Sequence, residues 1–145
     1  MENSNDKDIH TCNTERAKVD VYLDVPLCIR PFGSDKTFES VEEALDAFIQ
    51  PEILDENNKY YCETCQQKCA AHKGLKFESF PYILSLQLKR FDFDYRTMSR
   101  FKIGSVVTFP QTLNVKKYLP DTAAQEHCDY ELFSIMIHSG SASGG

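Results

Sequence analysis

Three cysteines lie close together near the middle of the chain, at Cys62, Cys65 and Cys69. The first two belong to the segment YYCETC and are separated by two residues. In a tight turn this spacing lets both thiolates reach one Zn²⁺ ion. A structural zinc site needs four ligands, so a second pair of ligands would have to come from elsewhere in the chain.

The second pair is incomplete. Cys12 is the only cysteine before the first predicted strand, and Ile9 stands three residues ahead of it. Three other residues could supply the fourth ligand: His10, Glu15 and Cys69. Two interpretations stay open, a zinc site on Cys12, Cys62 and Cys65 or a metal-free pair of half-buried thiols. The missing partner of Cys12 favours the metal-free interpretation. We expect Cys28 and Cys128 to be small apolar residues that fill space beside strands.

A second chemical feature lies at the other end of the chain, in YELFSIMIHSGSASGG, residues 130–145. Alternating apolar and polar residues predict a strand, and a glycine-rich loop follows it. Glycine suits a loop that approaches another chain closely, because it has no side chain and tolerates positive φ. The pattern is typical of a loop that serves a neighbouring site.

Composition narrows the class of protein that carries these features. The 145 residues suit one domain, with 41% hydrophobic and 26% charged residues. The formal net charge of -6 argues against nucleic acid and anionic membranes as partners. The segment MENSNDKDIHT has no apolar stretch typical of a signal peptide. We therefore expect a reducing compartment, the cytoplasm or the nucleus.

The elements that position these residues can be predicted from their periodicity. Alternation over residues 19–25 predicts a strand, and Ser40 with Glu43 forms an S-x-x-E capping box before an amphipathic helix. In residues 82–91, Leu84, Leu86 and Leu88 share one face of a strand that we place inside a sheet. Polar residues 92–100 predict a long mobile loop, and further strands follow over 101–110 and 130–138. The fold class is α+β, mostly antiparallel sheet with one clear helix.

Four segments occur in a recognisable order: YYCETC, FPYILSLQLKRF, VVTFP and YELFSIMIHSGSASGG. Together they resemble the ubiquitin-specific protease family of deubiquitinating cysteine peptidases, over residues 9–145. The resemblance implies part of a papain-like cysteine peptidase fold. It also implies ubiquitin and ubiquitinated proteins as partners.

The resemblance implies a domain plan as well. Residues 1–11 would be a flexible N-terminal segment, and 12–145 a partial catalytic domain with fingers over about 12–80 and palm over about 81–145. In the family, a cysteine in an upstream box attacks the carbonyl after the terminal Gly-Gly of ubiquitin, and a histidine in an H-S-G…G-H-Y motif carries the proton. By this resemblance, His138 would be the first residue of the motif, and the catalytic histidine would follow Gly145. We therefore expect an internal fragment that lacks both catalytic residues and is inactive as given.

The resemblance assigns further roles by position. Cys62 and Cys65 would belong to the zinc knuckle of the fingers, where Ile9 replaces a cysteine, so we expect no closed four-thiolate site. Catalysis would need no cofactor. Residues 92–100 would be the first blocking loop beside the channel for the ubiquitin tail, and 138–145 the second. The predicted ubiquitin-binding residues are Arg90, Phe91, Lys102, His138, Ser139, Gly140, Gly144 and Gly145.

Two other functions compete with this interpretation. A non-catalytic module could hold ubiquitin without cutting it, since the acidic balance suits a basic partner surface. A small zinc-binding interaction domain would instead depend on the cysteines for folding. The ordered motifs favour the peptidase family over the zinc domain.

Overall fold

The computed structural model describes residues 14–31, 33–123 and 127–142. Within these ranges the chain forms two compact units. The first unit comprises residues 14–21 and 50–75, and the second comprises 22–49 and 76–142. Cys12, Gly144 and Gly145 lie outside the described residues.

The described part of the chain contains one α-helix and ten short strands. In chain order these are β1 (Val25–Cys28), α1 (Val41–Ile49), β2 (Glu52–Leu54), β3 (Tyr60–Cys62), β4 (Gln67–Cys69), β5 (Ala71–Lys73), β6 (Leu86–Lys89), β7 (Phe91–Asp94), β8 (Ser99–Lys102), β9 (Thr112–Asn114) and β10 (Asp129–Glu131). Single 3₁₀ turns occur at Glu56–Asn58 and Lys116–Tyr118. Across the described ranges, no helix has the length and apolar character to cross a membrane.

The strands associate in five pairs. In the first unit, β2 pairs with β5 and β3 with β4, both antiparallel. In the second unit, β7–β8 and β9–β10 are antiparallel, whereas β1 and β6 run parallel. The predicted α+β class, with mostly antiparallel pairing and one helix, is confirmed.

Helix α1 forms where the sequence predicts it. The Ser40 hydroxyl accepts a hydrogen bond from the Glu43 amide at 3.2 Å, which satisfies one of the first turn's unpaired donors. The Glu43 carboxylate accepts from the Glu39 amide at 2.8 Å, one residue earlier than in the usual capping box. The buried face of the helix carries Val41, Ala44 and Leu45.

The core of the second unit lies between α1 and β1. Leu27, Ile29 and Leu45 are completely buried there. Phe77 joins this core to a run of aromatic rings, with its centroid 4.6 Å from that of Phe80 and 6.0 Å from that of Phe48. Burial of these side chains supplies the main stabilisation of the unit, since each contributes about 1.5 to 3 kcal/mol.

The predicted strand over residues 19–25 is wrong for most of its length. Strand β1 begins only at Val25, and Val21 and Leu23 are 95% and 92% exposed. A strand forms where a partner exists, and β6 begins at Leu86, directly opposite Val25. Pro26 lies inside β1, which is compatible with a strand paired on one side.

The predicted mobile loop over residues 92–100 is also wrong, because this segment is most of a β-hairpin. Strands β7 and β8 pair from Phe91↔Lys102 to Asp94↔Ser99, leaving a four-residue turn. The Asp94 carboxylate accepts from the Arg96 amide at 2.9 Å, and Met98 adopts a positive φ of 52°. The polar residues that suggested a loop are those that close this turn.

The later strands are shorter than predicted. Strand β8 ends at Lys102, and β10 stops at Glu131 instead of continuing to residue 138. The β9–β10 pairing extends by one bond, from the Leu132 amide to the Gln111 carbonyl at 2.8 Å. The next residue on the β9 side is Pro110, which has no N–H to donate.

Two further predictions are wrong in part, the position of β6 inside a sheet and the burial of Cys28. Leu84, Leu86 and Leu88 are half-buried and alternate with exposed residues, as predicted. In the described ranges, however, β6 pairs with β1 alone and has no strand on its other side. Cys28 is exposed at the end of β1 and fills no space, whereas Cys128 packs against the core.

Candidate functional site

The β7–β8 hairpin places Phe91 and Lys102 side by side. The two residues are direct partners in its ladder, so their side chains project from the same face. Strand alternation sends the next pair, Asp92 and Phe101, to the opposite face. The hairpin therefore presents two different surfaces, each built from one cross-strand pair.

The first surface contacts His138. The Phe91 ring meets the imidazole edge to face, with centroids 5.0 Å apart and planes at 88°. The Lys102 ammonium donates to the His138 carbonyl oxygen at 3.0 Å. Three of the predicted ubiquitin-binding residues, separated by up to 47 positions in the chain, thus lie together.

The glycine-rich loop continues from this contact. Lys102 Nζ also donates to the Gly140 carbonyl oxygen, at 3.2 Å. Gly140 has a φ of +126°, a conformation that residues with a side chain rarely adopt. Ser139 lies between the two bonded carbonyls and is exposed. The described part of the predicted second blocking loop is therefore bonded to the hairpin.

Arg90, another predicted ubiquitin-binding residue at this site, makes hydrogen bonds within the chain. Its Nη1 donates to the carbonyl oxygens of Ile103 and Ser105, at 3.2 and 2.9 Å. Ile103 in turn donates its amide to the Arg90 carbonyl at 2.6 Å. These bonds hold the chain after β8 beside the start of β7, so Arg90 organises the base of the hairpin.

Arg30 binds the second surface of the hairpin, a contact that the sequence did not predict. Its Nη2 donates to the Asp92 carboxylate at 2.5 Å, and its Cζ lies 4.9 Å from the Phe101 ring centroid. The Phe93 amide also donates to Asp92, at 2.8 Å. These donors, the Phe93 amide first and Arg30 second, lower the pKa of Asp92 below its ordinary value. Arg30 and Asp92 are 62 positions apart, and neither lies in a motif.

An open groove of about 2360 Å³ runs along the second unit beside this site. Phe91, Lys102 and His138 line it together with residues of β6 and β10. Its walls include many large apolar side chains that are about half exposed or more, namely Tyr82, Ile83, Val106, Phe109, Phe133, Ile135, Met136 and Ile137. This groove is a broad apolar surface with a cationic and aromatic cluster at one side.

The first unit contains the Cys-x-x-Cys knuckle. Cys62 and Cys69 are buried and Cys65 is half-buried. Cys62 lies opposite Gln67 in the β3–β4 ladder, so Cys69 is its diagonal neighbour. The described residues bring no three His, Cys, Asp or Glu side chains together as a metal-binding group. These residues alone do not fit a four-ligand zinc site, and Cys12 lies outside them.

A further question is whether His138 has the contacts that a catalytic base needs. A general base needs a hydrogen bond to the nucleophile that it activates. Within the described ranges, the contacts of His138 are the Phe91 ring on its imidazole and Lys102 on its carbonyl. Its imidazole therefore makes a packing contact there, as expected for the first residue of a loop.

Comparison with known proteins places this arrangement in a family. The profile of the family described as ubiquitin carboxyl-terminal hydrolase, UCH, matches residues 11–145. Ubiquitin carboxyl-terminal hydrolase 47 of Drosophila melanogaster is 62% identical over 108 residues, covering 74% of this chain and 7% of that protein. Its Homo sapiens counterpart is 42% identical over 189 aligned residues, covering 92% of this chain and 14% of that protein.

Solved structures agree with the sequence comparison. A structure of the SAGA Ubp8/Sgf11/Sus1/Sgf73 DUB module bound to ubiquitin aldehyde superposes with a TM-score of 0.71 at 31% identity. The match covers 89% of this chain and 28% of that one. A SAGA DUB module bound to monoubiquitin gives a TM-score of 0.70 at 32% identity, with coverage of 92% and 28%.

These likenesses confirm the predicted fold, part of a papain-like peptidase domain. The chain spans 7% to 14% of the length of the two curated relatives. A family profile that matches nearly the whole chain, together with relatives at 42% to 62% identity, settles its membership. The chain belongs to the ubiquitin carboxyl-terminal hydrolase family of cysteine-type deubiquitinases.

Proposed function

We propose that this chain is part of a thiol-dependent deubiquitinase and that its second unit binds the C-terminal tail of ubiquitin. The observation that carries the proposal is the cluster of Phe91, Lys102, His138 and Gly140 at one end of the β7–β8 hairpin. By the family resemblance, His138 and Gly140 belong to the second blocking loop beside the tail channel, and Phe91 and Lys102 flank the first, residues 92–100. The related DUB modules described as bound to ubiquitin aldehyde and to monoubiquitin support the same partner.

The surface chemistry suits an extended peptide that ends in Gly-Gly. Phe91 is 49% exposed, so its ring can contact a partner while its edge packs on His138. Exposed loop residues Ser139 and Gly140 add main-chain groups without bulky side chains. The apolar groove beside them offers further contact area, and apolar surface of this extent is typical of binding sites.

In the reaction that we propose for the whole enzyme, a thiolate attacks the carbonyl carbon of the terminal glycine of ubiquitin. The lysine amine of the conjugated protein leaves with a proton from an imidazole, and water then hydrolyses the thioester. The contribution of this chain is to hold the tail extended beside the reacting bond. We infer that its own cysteines are not the nucleophile, because none of them has the sequence surroundings of the family's cysteine box, and Cys62 and Cys69 are also buried in the first unit.

A titration of ¹⁵N-labelled ubiquitin with the chain tests the binding proposal. We expect chemical-shift changes that are concentrated in the C-terminal tail of ubiquitin and that grow with chain concentration. Absence of tail shifts at millimolar chain would contradict the proposal. As a control, Lys36→Met alters an exposed lysine outside the cluster and should leave the shifts unchanged.

A ubiquitin derivative with a C-terminal electrophile tests the assignment of the nucleophile. We expect no covalent product with the 145-residue chain, since no cysteine in it has the family's cysteine-box surroundings. Labelling of any of its six cysteines would overturn this assignment. Peptide mapping of the product would then identify the reactive thiol.

We also propose that the fold of the first unit does not depend on zinc. The support is that no group of three potential ligands assembles among the described residues, whereas β2–β5 and β3–β4 pair through main-chain bonds. Metal analysis of the purified chain and a thermal melt with and without a chelator test this directly. Stoichiometric zinc with a melt that collapses on chelation would contradict the proposal.

A further inference from the structure

We propose that Lys102 is a positioning residue, which holds the loop 138–142 in the conformation that receives the ubiquitin tail, and is not itself a contact for ubiquitin. The inference rests on the proposed function. It revises the expectation, drawn from resemblance alone, that Lys102 binds ubiquitin.

A lysine ammonium has three N–H donors and no acceptor. Two of the Lys102 donors are directed at main-chain oxygens of the same loop, those of His138 and Gly140. The two acceptors are two residues apart, so the ammonium spans Ser139 and fixes both ends of a short arc. A charged donor makes a stronger bond to a carbonyl than a neutral one does. Most of the hydrogen-bonding capacity of Lys102 is therefore used within the chain.

The loop needs such a bond because strand pairing does not extend to it. In the described part of the chain, β10 ends at Glu131, and no paired strand includes residues 132–142. His138, Ser139 and Gly140 are all exposed, so burial does not fix them. Gly140 also holds a φ of +126°, which an unrestrained loop would exchange with other conformations.

Phe91 completes the attachment from the neighbouring strand. Its ring packs on the His138 imidazole, while Lys102 bonds the His138 carbonyl. One cross-strand pair of the hairpin therefore contacts both the side chain and the main chain of the same residue. Movement of the loop away from the hairpin would break both contacts together.

Lys102→Met tests this role, because methionine keeps much of the length and apolar stem of lysine and removes the charge and all donors. The first readout is the ¹⁵N order parameter of the Ser139 and Gly140 amides in the chain without ubiquitin. We expect about 0.8 in the wild type and less than about 0.6 in Lys102→Met, the range of flexible backbone. Lys102→Arg retains donors for both carbonyls and should keep the loop ordered.

The second readout is the affinity for intact ubiquitin and for ubiquitin that lacks its terminal Gly-Gly. We expect Lys102→Met to lower the affinity for intact ubiquitin about tenfold, because two charged hydrogen bonds at an exposed site are lost. The affinity for truncated ubiquitin should fall by less than twofold. Lys36→Met, which alters an exposed lysine of the same unit, should change neither affinity. Lys102→Arg should recover most of the affinity.

One result would overturn the inference: Lys102→Met lowers affinity while the order parameters of the free loop stay at the wild-type value. That result would make Lys102 a direct ubiquitin contact. If the variant does not fold, acetylation rates of lysines in the wild-type chain test the hydrogen bonds instead. A hydrogen-bonded Lys102 should be acetylated more slowly than Lys36. Equal rates would contradict the hydrogen bonds of Lys102. Failure of the wild type to bind ubiquitin would refute the proposed function, yet the order parameters would still report on the loop.

Discussion

Phe91 and Lys102 oppose each other across the β7–β8 ladder, and both contact His138, which lies 36 positions beyond Lys102. The opposite face of the same hairpin carries Asp92 and Phe101, which bind Arg30. The hairpin is therefore fixed from both sides by residues distant in sequence. This arrangement accounts for an ordered segment where the composition suggested a mobile loop.

The ring contact between Phe91 and His138 should matter for binding more than for stability. Phe91→Leu removes an edge-to-face contact of about 0.5 to 1.5 kcal/mol but retains apolar bulk at a half-exposed position. We expect affinity for ubiquitin to fall several-fold, as measured by calorimetric titration, with little change in melting temperature. Phe93→Leu breaks a similar contact with Tyr95 and is the matched control. Equal losses from the two variants would contradict a specific role for Phe91.

Gly140 should not tolerate a side chain. Alanine at a φ of +126° is strained by about 1 to 3 kcal/mol, so Gly140→Ala should shift the loop away from the conformation that Lys102 holds. We expect weaker ubiquitin binding and new chemical shifts for residues 138–141. Gly104→Ala is the control, because no atom beyond the adjacent residues lies within 4 Å of the added methyl group. Binding unchanged in Gly140→Ala would show that the loop does not receive the tail.

Two leucines four positions apart should differ widely in their effect on stability. Leu27 is completely buried in β1, so Leu27→Ala should lower the free energy of unfolding by about 2 to 5 kcal/mol. Leu23 is 92% exposed, and Leu23→Ala should change the free energy of unfolding by less than about 0.5 kcal/mol. Urea denaturation followed by circular dichroism measures both. Similar losses would place the start of β1 earlier than the structure does.

The carboxylate of Asp92 should make the second unit sensitive to acid. Because its folded pKa lies below the unfolded value of about 3.9, its stabilisation is present above that value and is lost as pH falls through the folded pKa. Wild type should therefore lose more stability between pH 7 and pH 3 than Asp92→Asn does. Urea denaturation at the two pH values measures this. An identical loss of stability in both proteins would show that the Arg30–Asp92 pair does not cause the acid sensitivity.

Local patterns predicted some elements well. Helix α1 follows from Ser40, Glu43 and apolar residues at helical spacing, all within ten positions, and the structure places the same residues in the cap and the buried face. The alternation of Leu84, Leu86 and Leu88 likewise matches their burial. In these cases the determining contacts are close in sequence.

Other features depend on contacts that no local pattern reveals. The β7–β8 hairpin is rich in charged residues, and its Arg30 contact is 62 positions away. The strand predicted over residues 19–25 has the right alternation, but within the described ranges it has no paired strand before Val25. The cluster of Phe91, Lys102 and His138 was predicted only through resemblance to the family, since spacing alone does not bring these residues together.

The central claim is that the second unit receives the C-terminal tail of ubiquitin beside the β7–β8 hairpin. The most direct measurement compares the dissociation constants of the chain for intact ubiquitin and for ubiquitin without its terminal Gly-Gly. We expect the chain to bind intact ubiquitin clearly more tightly than the truncated form. Phe91→Leu and Gly140→Ala should each reduce this difference in affinity. Equal affinity for the two ubiquitins would contradict the central claim.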